Sequence, residues 1–379
     1  MRILFSSLGS HGHTYPLLPL AIAARELGHE ITYVTAPAFA DTLRPHGIEH
    51  VTGGLDMRTA FESVNAGLEA RQARDFDPDR IAQVFGSVLP RRFAADLAPI
   101  IADRKPDLVV HEVGNPGAGL AAKVAGVPAL CHGFGRIWRA DELSDAARRH
   151  LGEVAADLGV DAPDDLTLGN PYLDICPPSV QDAAFLAGKA DRIPLRPVPF
   201  AEPGELPRWV LDHDEPLVYL TLGTAFGRVD VLRAAVDGLA ALDVKVLVAA
   251  GPAVEAEALG ALPDNVVARQ WVPQADVLPH VDLVVHHGGS GTTLGTYGVG
   301  VPQLLLPQGA DQFSNAEVVV EAGLGDRLLG DDVTPEAVTA KARHLLADES
   351  VRAAARAIAD EVAAMPSPQD VARTLPDRA

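Results

Sequence analysis

The sequence predicts an α/β protein made of two doubly wound parallel-sheet domains. Three observations carry that expectation. Strand-sized apolar runs alternate with amphipathic helices on both sides of a proline-rich stretch, and several helices close on glycine (Gly28, Gly47, Gly126, Gly300) before the next strand. The length, 379 residues, suits about two domains at roughly 100–200 residues each.

In the first half, Arg2 to Ser7 reads as a buried strand and LGSHGH as the loop after it. Pro16 then opens a helix through LLPLAIAAREL to Gly28. EITYVT alternates and is β-branched, which is strand chemistry, and Pro37 opens a helix that stops at Gly47. Asp56 to Asp103 and Leu143 to Leu158 carry helical periodicity with exposed Arg and Asp, as insertions would. Between them PDLVVHE, AGLAAKVA and VPALC repeat the strand–helix–strand unit, and prolines crowd Ile193 to Pro207 as a linker would.

Past the linker the unit restarts. LVYLTLG and VKVLVAAG are strands around the helix VDVLRAAVDGLAAL; DLVVHH and PQLLLP are strands around a glycine loop and a helix. Two helices over Thr334–Ala364 and a proline-containing tail follow. The expected boundaries are 1–200 for the first domain, 201–364 for the second and 365–379 for the tail. Ligands of such sheets sit at the carboxyl ends of the strands, so the expected site is a cleft with the two domains facing across it.

Composition excludes several function classes. A net charge of −20, from 31 basic and 51 acidic residues, argues against a nucleic-acid grip. Two cysteines, Cys131 and Cys176, cannot build a disulfide scaffold and fit a reducing cytoplasm. No apolar run approaches the ~20 residues of a membrane helix, and MRILF ends too soon at Ser and Gly for a signal peptide. A soluble cytoplasmic protein without membrane insertion is expected.

The densest chemistry lies in HHGGSGTT, His286 to Thr293. After a strand and before a helix, such glycines let backbone N–H groups approach an anion. There is no Lys, no Walker pattern and no dinucleotide spacing. A phosphate would be held by amides, by the hydroxyls of Ser290, Thr292 and Thr293, and by His287; a plain glycine turn with buried histidines is the alternative. LGTAFG, at the end of the second domain's first strand, offers Thr224 to a phosphate or ribose, or is simply a turn.

His11 and His13 form H-x-H after the first strand. A metal pair would need further ligands on later strands, and none is evident. A single general base is favoured over that pair, beside the plain alternative of a surface-loop histidine. Glu112 ends PDLVVHE at the same sheet edge, where a carboxylate would orient the imidazole, or would be an exposed strand-end acid. His111 should point to the opposite face. Asp311 and Gln312 suit sugar hydroxyls, or Asp311 is a helix cap. Trp271 could stack on a base or sit in a core.

Read together, the span from Gln270 to Glu317 resembles the donor-binding signature of GT-B-fold, UGT-type glycosyltransferases, with W-x-P-Q, H-x-G, G-V-P, D-Q and N-A in order. The bacterial enzymes that decorate macrolide, enediyne and aromatic polyketide antibiotics are the most similar subset, and GSHGHTYPLLPLA resembles their first loop. Gly53–Arg104 and Phe134–Leu158, the expected acceptor region, resemble nothing assignable.

The resemblance implies that Trp271 stacks on the nucleobase, with the Val272 backbone at its edge and Gln274 near the pentose. It implies that His287 and the amides of Gly289, Ser290, Gly291 and Thr292 hold the diphosphate with Thr224. Asp311 and Gln312 would read the sugar. His13 would be the catalytic base and Glu112 its acidic partner, commonly Asp in the family. Relatives that use UDP-sugars often carry Glu where this chain has Gly295, so a dTDP-sugar is favoured over a UDP-sugar.

The implied reaction is inverting transfer of a dTDP-activated deoxysugar to a nucleophilic group, a hydroxyl before nitrogen or carbon, of a hydrophobic natural product, with no cofactor and no metal. The expected partners are the nucleotide-sugar donor and a hydrophobic small-molecule acceptor, and the chain is compatible with a homodimer. A nucleotide-sugar epimerase of the same fold would need more carboxylates around the sugar. A non-catalytic auxiliary protein would be expected to lose His13 or the H-x-G loop, and both are present.

Overall fold

A computed structural model describes residues 1–67, 77–137, 142–161, 165, 167–189, 191–202, 204–224, 227–252, 254 and 256–379. Parts of the expected acceptor region, and Ala225 and Phe226 of LGTAFG, lie outside the described residues. The chain forms two compact units: Met1–Ile175 with Gln181–Leu195 and Pro366–Ala379, and Cys176–Val180 with Arg196–Met365.

The first unit holds a seven-stranded parallel sheet. Its strands are β1 (Arg2–Ser6), β2 (Glu30–Thr35), β3 (Glu49–Thr52), β4 (Leu108–Glu112), β5 (Ala129–His132), β6 (Tyr172–Asp174) and β7 (Arg192–Pro194). Their order is β3-β2-β1-β4-β5-β6-β7. The central strands are buried on both faces, as their continuous apolar runs require. One face packs Leu4, Val34 and Val109 against Phe93, Leu97 and Ile101 of the helix Leu89–Arg104.

The second unit repeats the plan with β8 (Leu217–Thr221), β9 (Lys245–Ala249), β10 (Val266–Arg269), β11 (Leu283–His286), β12 (Gln303–Leu305) and β13 (Gly325–Arg327), in the order β10-β9-β8-β11-β12-β13. Val218, Leu220, Val246, Val248, Leu283 and Val285 of the strands form one core face with the helix residues Leu232, Val236 and Leu239. Tyr219, Leu247 and Val284 face the other.

Three local expectations are corrected. The segment read as the loop LGSHGH is helical from His11: Ser10 is extended, its carbonyl accepts the N–H of His13 (3.2 Å) and Thr14 (2.8 Å), and the chain runs on through Tyr15–Leu17 into Leu18–Glu26. Pro16 therefore stands in the second turn rather than the first. The start of the expected linker, Ile193, belongs to β7, which pairs with β6 (Leu173 opposite Ile193). The tail read as separate is the helix Pro368–Thr374, opened by a reciprocal Ser367–Asp370 capping box, and it packs on Leu18–Glu26 with Val371, Ala372 and Leu375 buried. Among the described residues no helix is long and apolar enough to cross a membrane.

Candidate active site

In each sheet the strand order reverses between two adjacent central strands, β1 and β4 in the first unit and β8 and β11 in the second. Loops leaving the carboxyl ends of such strands diverge and open a crevice. His13 and Glu112 follow or end β1 and β4; Thr224 and His287 follow β8 and β11.

In the first unit, His13 Nδ1 lies 3.1 Å from Glu112 Oε2. Glu112 is fully buried, not the exposed strand-end acid, and its Oε1 accepts the N–H of Gly114 at 2.6 Å. A Cβ on Gly114 would come within 2.9 Å of Oε1 and 3.2 Å of His13 Cε1, so a side chain there would displace the pair. Phe134 packs on the imidazole at 4.9 Å. At 3.1 Å the buried carboxylate is placed to stabilise an imidazolium at this position. His111, one residue earlier, points away to Asn170 (3.0 Å), as strand alternation requires. His11 also diverges from His13, meeting Tyr15 and Phe39 edge-on at 5.0 and 5.3 Å. Among the described residues no three His, Cys, Asp or Glu side chains gather as a metal site.

In the second unit, the helix Ser290–Val299 begins after Gly289, and its first ladder bond runs from Thr293 N–H to the Gly289 carbonyl (3.0 Å). The N–H groups of Ser290, Gly291 and Thr292 therefore have no intrahelical acceptor and suit an anion. The His287 ring stands between two glycines: a Cβ on Gly223 would lie 2.5 Å from its Nε2, and one on Gly289 2.3 Å away. Gly223 also adopts φ +75°, a left-handed conformation that favours glycine. Thr224 follows in the turn after β8.

The three hydroxyls expected on a phosphate are instead engaged within the protein. Ser290 donates to Asp311 Oδ2 (2.6 Å), Thr292 to Gln274 Oε1 (3.1 Å) and Thr293 to the Gly289 carbonyl (3.0 Å). Asp311 precedes the helix Gln312–Glu321 but its side chain caps no N–H there. Gln312 is buried and its Oε1 accepts the N–H groups of Gln308 (2.7 Å) and Gly309 (3.0 Å), bracing a loop in which Ala310 takes φ +53°. Trp271, beyond the carboxyl end of β10, is 44% exposed and so is no core residue, whereas the neighbouring Val272 is buried with Val277 and Leu278.

Two positions beyond the expected set hold these loops. Asn315 Nδ2 donates to the Gly288 carbonyl (2.8 Å) and to Asp311 Oδ2 (3.0 Å). His286 accepts the Gly288 N–H on Nδ1 (3.1 Å) and bonds Gln303 Oε1 through Nε2 (2.8 Å), which fixes a neutral tautomer. The N-A of the signature is the sequence's only sign of Asn315.

Burial lowers His286 to about 3 and His287, His111 and His132 to about 4. His287 is thus neutral near pH 7. All four folded values lie below the unfolded value near 6.5, so unfolding takes up protons below that pH. Stability from these groups is complete above about pH 6.5 and is lost progressively as pH falls toward 4. Urea midpoints are expected to stay level from pH 8 to 7 and to drop from 6.5 to 5; a flat profile would contradict the buried neutral imidazoles.

Two open parallel sheets, each with its polar loops at the point where strand order reverses, are the architecture of the solved GT-B glycosyltransferases that the chain is similar to. Residues 233–377 match the family model described as erythromycin biosynthesis protein CIII-like, C-terminal domain. The chain is 33% identical to L-demethylnoviosyl transferase of Streptomyces niveus, over 99% of this chain and 97% of the relative. It is 32% identical to elloramycin glycosyltransferase ElmGT of Streptomyces olivaceus, with the same coverage. The solved structure of glycosyltransferase SsfS6 from Streptomyces sp. SF2575, complexed with thymidine diphosphate, superposes with a TM-score of 0.80 at 28% identity, covering 100% of this chain and 99% of that one. The chain belongs to the family of nucleotide-sugar-dependent glycosyltransferases that tailor bacterial antibiotics and related secondary metabolites.

Proposed function

We propose that this enzyme transfers a deoxysugar from a dTDP-activated donor to a hydroxyl of a hydrophobic natural product, with inversion at the anomeric carbon. The observation that carries the reading is the His13–Glu112 pair, 3.1 Å apart, with the carboxylate wholly buried and braced by Gly114. His13 Nε2 takes the proton of the acceptor hydroxyl as that oxygen attacks the anomeric carbon. The bond to the diphosphate breaks on the opposite face through an oxocarbenium-like transition state. The N–H groups of Ser290, Gly291 and Thr292, with His287 and Thr224, receive the charge that builds on the leaving diphosphate. No metal or other cofactor is assigned to the reaction. Trp271 stacks on the base, with Val272 at its edge and Gln274 near the pentose.

Two observations support thymidine over uridine. The solved relative SsfS6 holds thymidine diphosphate. In this chain, the helix position at which an acid would meet a ribose is Gly295, and a Cβ there would lie 2.8 Å from Leu278 and 3.4 Å from Pro199. The position has apolar neighbours and no carboxylate, so a 2′-deoxyribose loses no contact there. The test is release of nucleoside diphosphate from dTDP-hexoses and from the matching UDP-hexoses, with and without a panel of polyketide and phenolic acceptors. Release should require acceptor, accompany a one-sugar mass gain, and be faster from the dTDP donors. Acceptor-independent release, or a preference for UDP, would overturn the corresponding part of the reading.

A further inference from the structure

The hydroxyl of Ser290 carries a single proton, and that proton is committed to Asp311 Oδ2 at 2.6 Å. The same oxygen accepts a second bond from Asn315 Nδ2 at 3.0 Å, and that amide also reaches Ser290 Oγ at 3.3 Å and the Gly288 carbonyl at 2.8 Å. Ser290 and Asn315 are 8% and 6% exposed, so little water competes for these bonds. Diphosphate oxygens facing the loop are acceptors near neutral pH and can take no bond from a hydroxyl already donating elsewhere. Both donors on Asp311 fall on Oδ2, which leaves Oδ1 as the carboxylate oxygen for a ligand hydroxyl.

We infer that the Ser290 side chain is a positioning residue of the sugar site and not a phosphate ligand: with Asn315 it aims Asp311 at the sugar, while only its backbone N–H serves the diphosphate. The inference rests on the nucleotide-sugar reading above and deepens it. The phosphate loop and the sugar-reading carboxylate are joined through one serine, so the two halves of the donor are recognised by a single hydrogen-bonded unit. Charge-assisted bonds of this kind hold a carboxylate more firmly than neutral ones.

The experiment measures equilibrium binding of thymidine diphosphate and of a panel of dTDP-hexoses to the wild type, to Ser290→Ala and to the near-isosteric Ser290→Cys. Both variants should bind thymidine diphosphate within about twofold of wild type, and should bind the hexose donor that wild type prefers about five- to tenfold more weakly. The spread of affinities across the hexoses should narrow, and Ser290→Thr, which keeps the donor, should restore it. A parallel loss for thymidine diphosphate and for its hexoses would place the hydroxyl on the phosphate and overturn the inference, as would no change for either ligand. Failure of the wild type itself to bind thymidine diphosphate would instead overturn the nucleotide reading beneath it.

Discussion

His13→Ala is expected to lower turnover by about 10²–10⁴-fold, the range that a positioned general base supplies, while thymidine diphosphate binds within about twofold of wild type. The split follows from where the groups lie. His13 and Glu112 belong to the first unit and the H-x-G loop to the second, so removing the imidazole leaves every proposed diphosphate contact in place. Glu112→Gln should cost less than His13→Ala. Glutamine has one oxygen to face both the Gly114 N–H and Nδ1 and carries no charge to stabilise the imidazolium, but it leaves the imidazole itself in place. Turnover of His13→Ala comparable to wild type would remove His13 from the role of base.

Gly289→Ala is the second large effect, expected to weaken thymidine diphosphate binding by at least about tenfold, equivalent to about 1.4 kcal/mol. Gly289 sits at φ −63° and ψ 142°, backbone that alanine adopts without strain. The new methyl group would instead stand 2.3 Å from His287 Nε2 and displace the ring. Gly223 closes the other side, so the ring has no equivalent place to go. Calorimetric titration with thymidine diphosphate checks this, with circular dichroism to confirm that the variant is folded. Unchanged affinity would mean that His287 does not help to hold the nucleotide.

The central strands are legible in the chain because they are buried on both faces, so RILFS, LVVHE, LVYLT, KVLVA and LVVH read as near-continuous apolar runs. The edges are not. β3 (EHVT), β7 (RIP), β10 (VVAR) and β13 (GDR) are three or four residues long and half-exposed, and pairing with a neighbour, not their own pattern, makes them strands. The chain's start misleads for a related reason: Pro16 looks like a helix opening, yet the Ser10 carbonyl has already begun the turn.

The site divides in the same way. Histidines, the glycine loop and the D-Q pair stand out as motifs in the chain. The tight glycines Gly114 and Gly223, the anchor Asn315 and the true partner of the Ser290 hydroxyl depend on distances between segments far apart in sequence. The chain's acidity, −20 overall, is compatible with a diphosphate site because His286–Thr293 contains no Lys or Arg and offers backbone N–H groups instead.

The anomeric configuration of the glycoside product tests the central claim most directly. With a dTDP-hexose of known configuration and an acceptor that supports turnover, the anomeric proton coupling in the NMR spectrum of the product is measured against that of the donor. Direct attack by a hydroxyl deprotonated at His13 predicts the opposite configuration. Retention would contradict that mechanism and would call for two successive displacements or attack from the face that the diphosphate leaves.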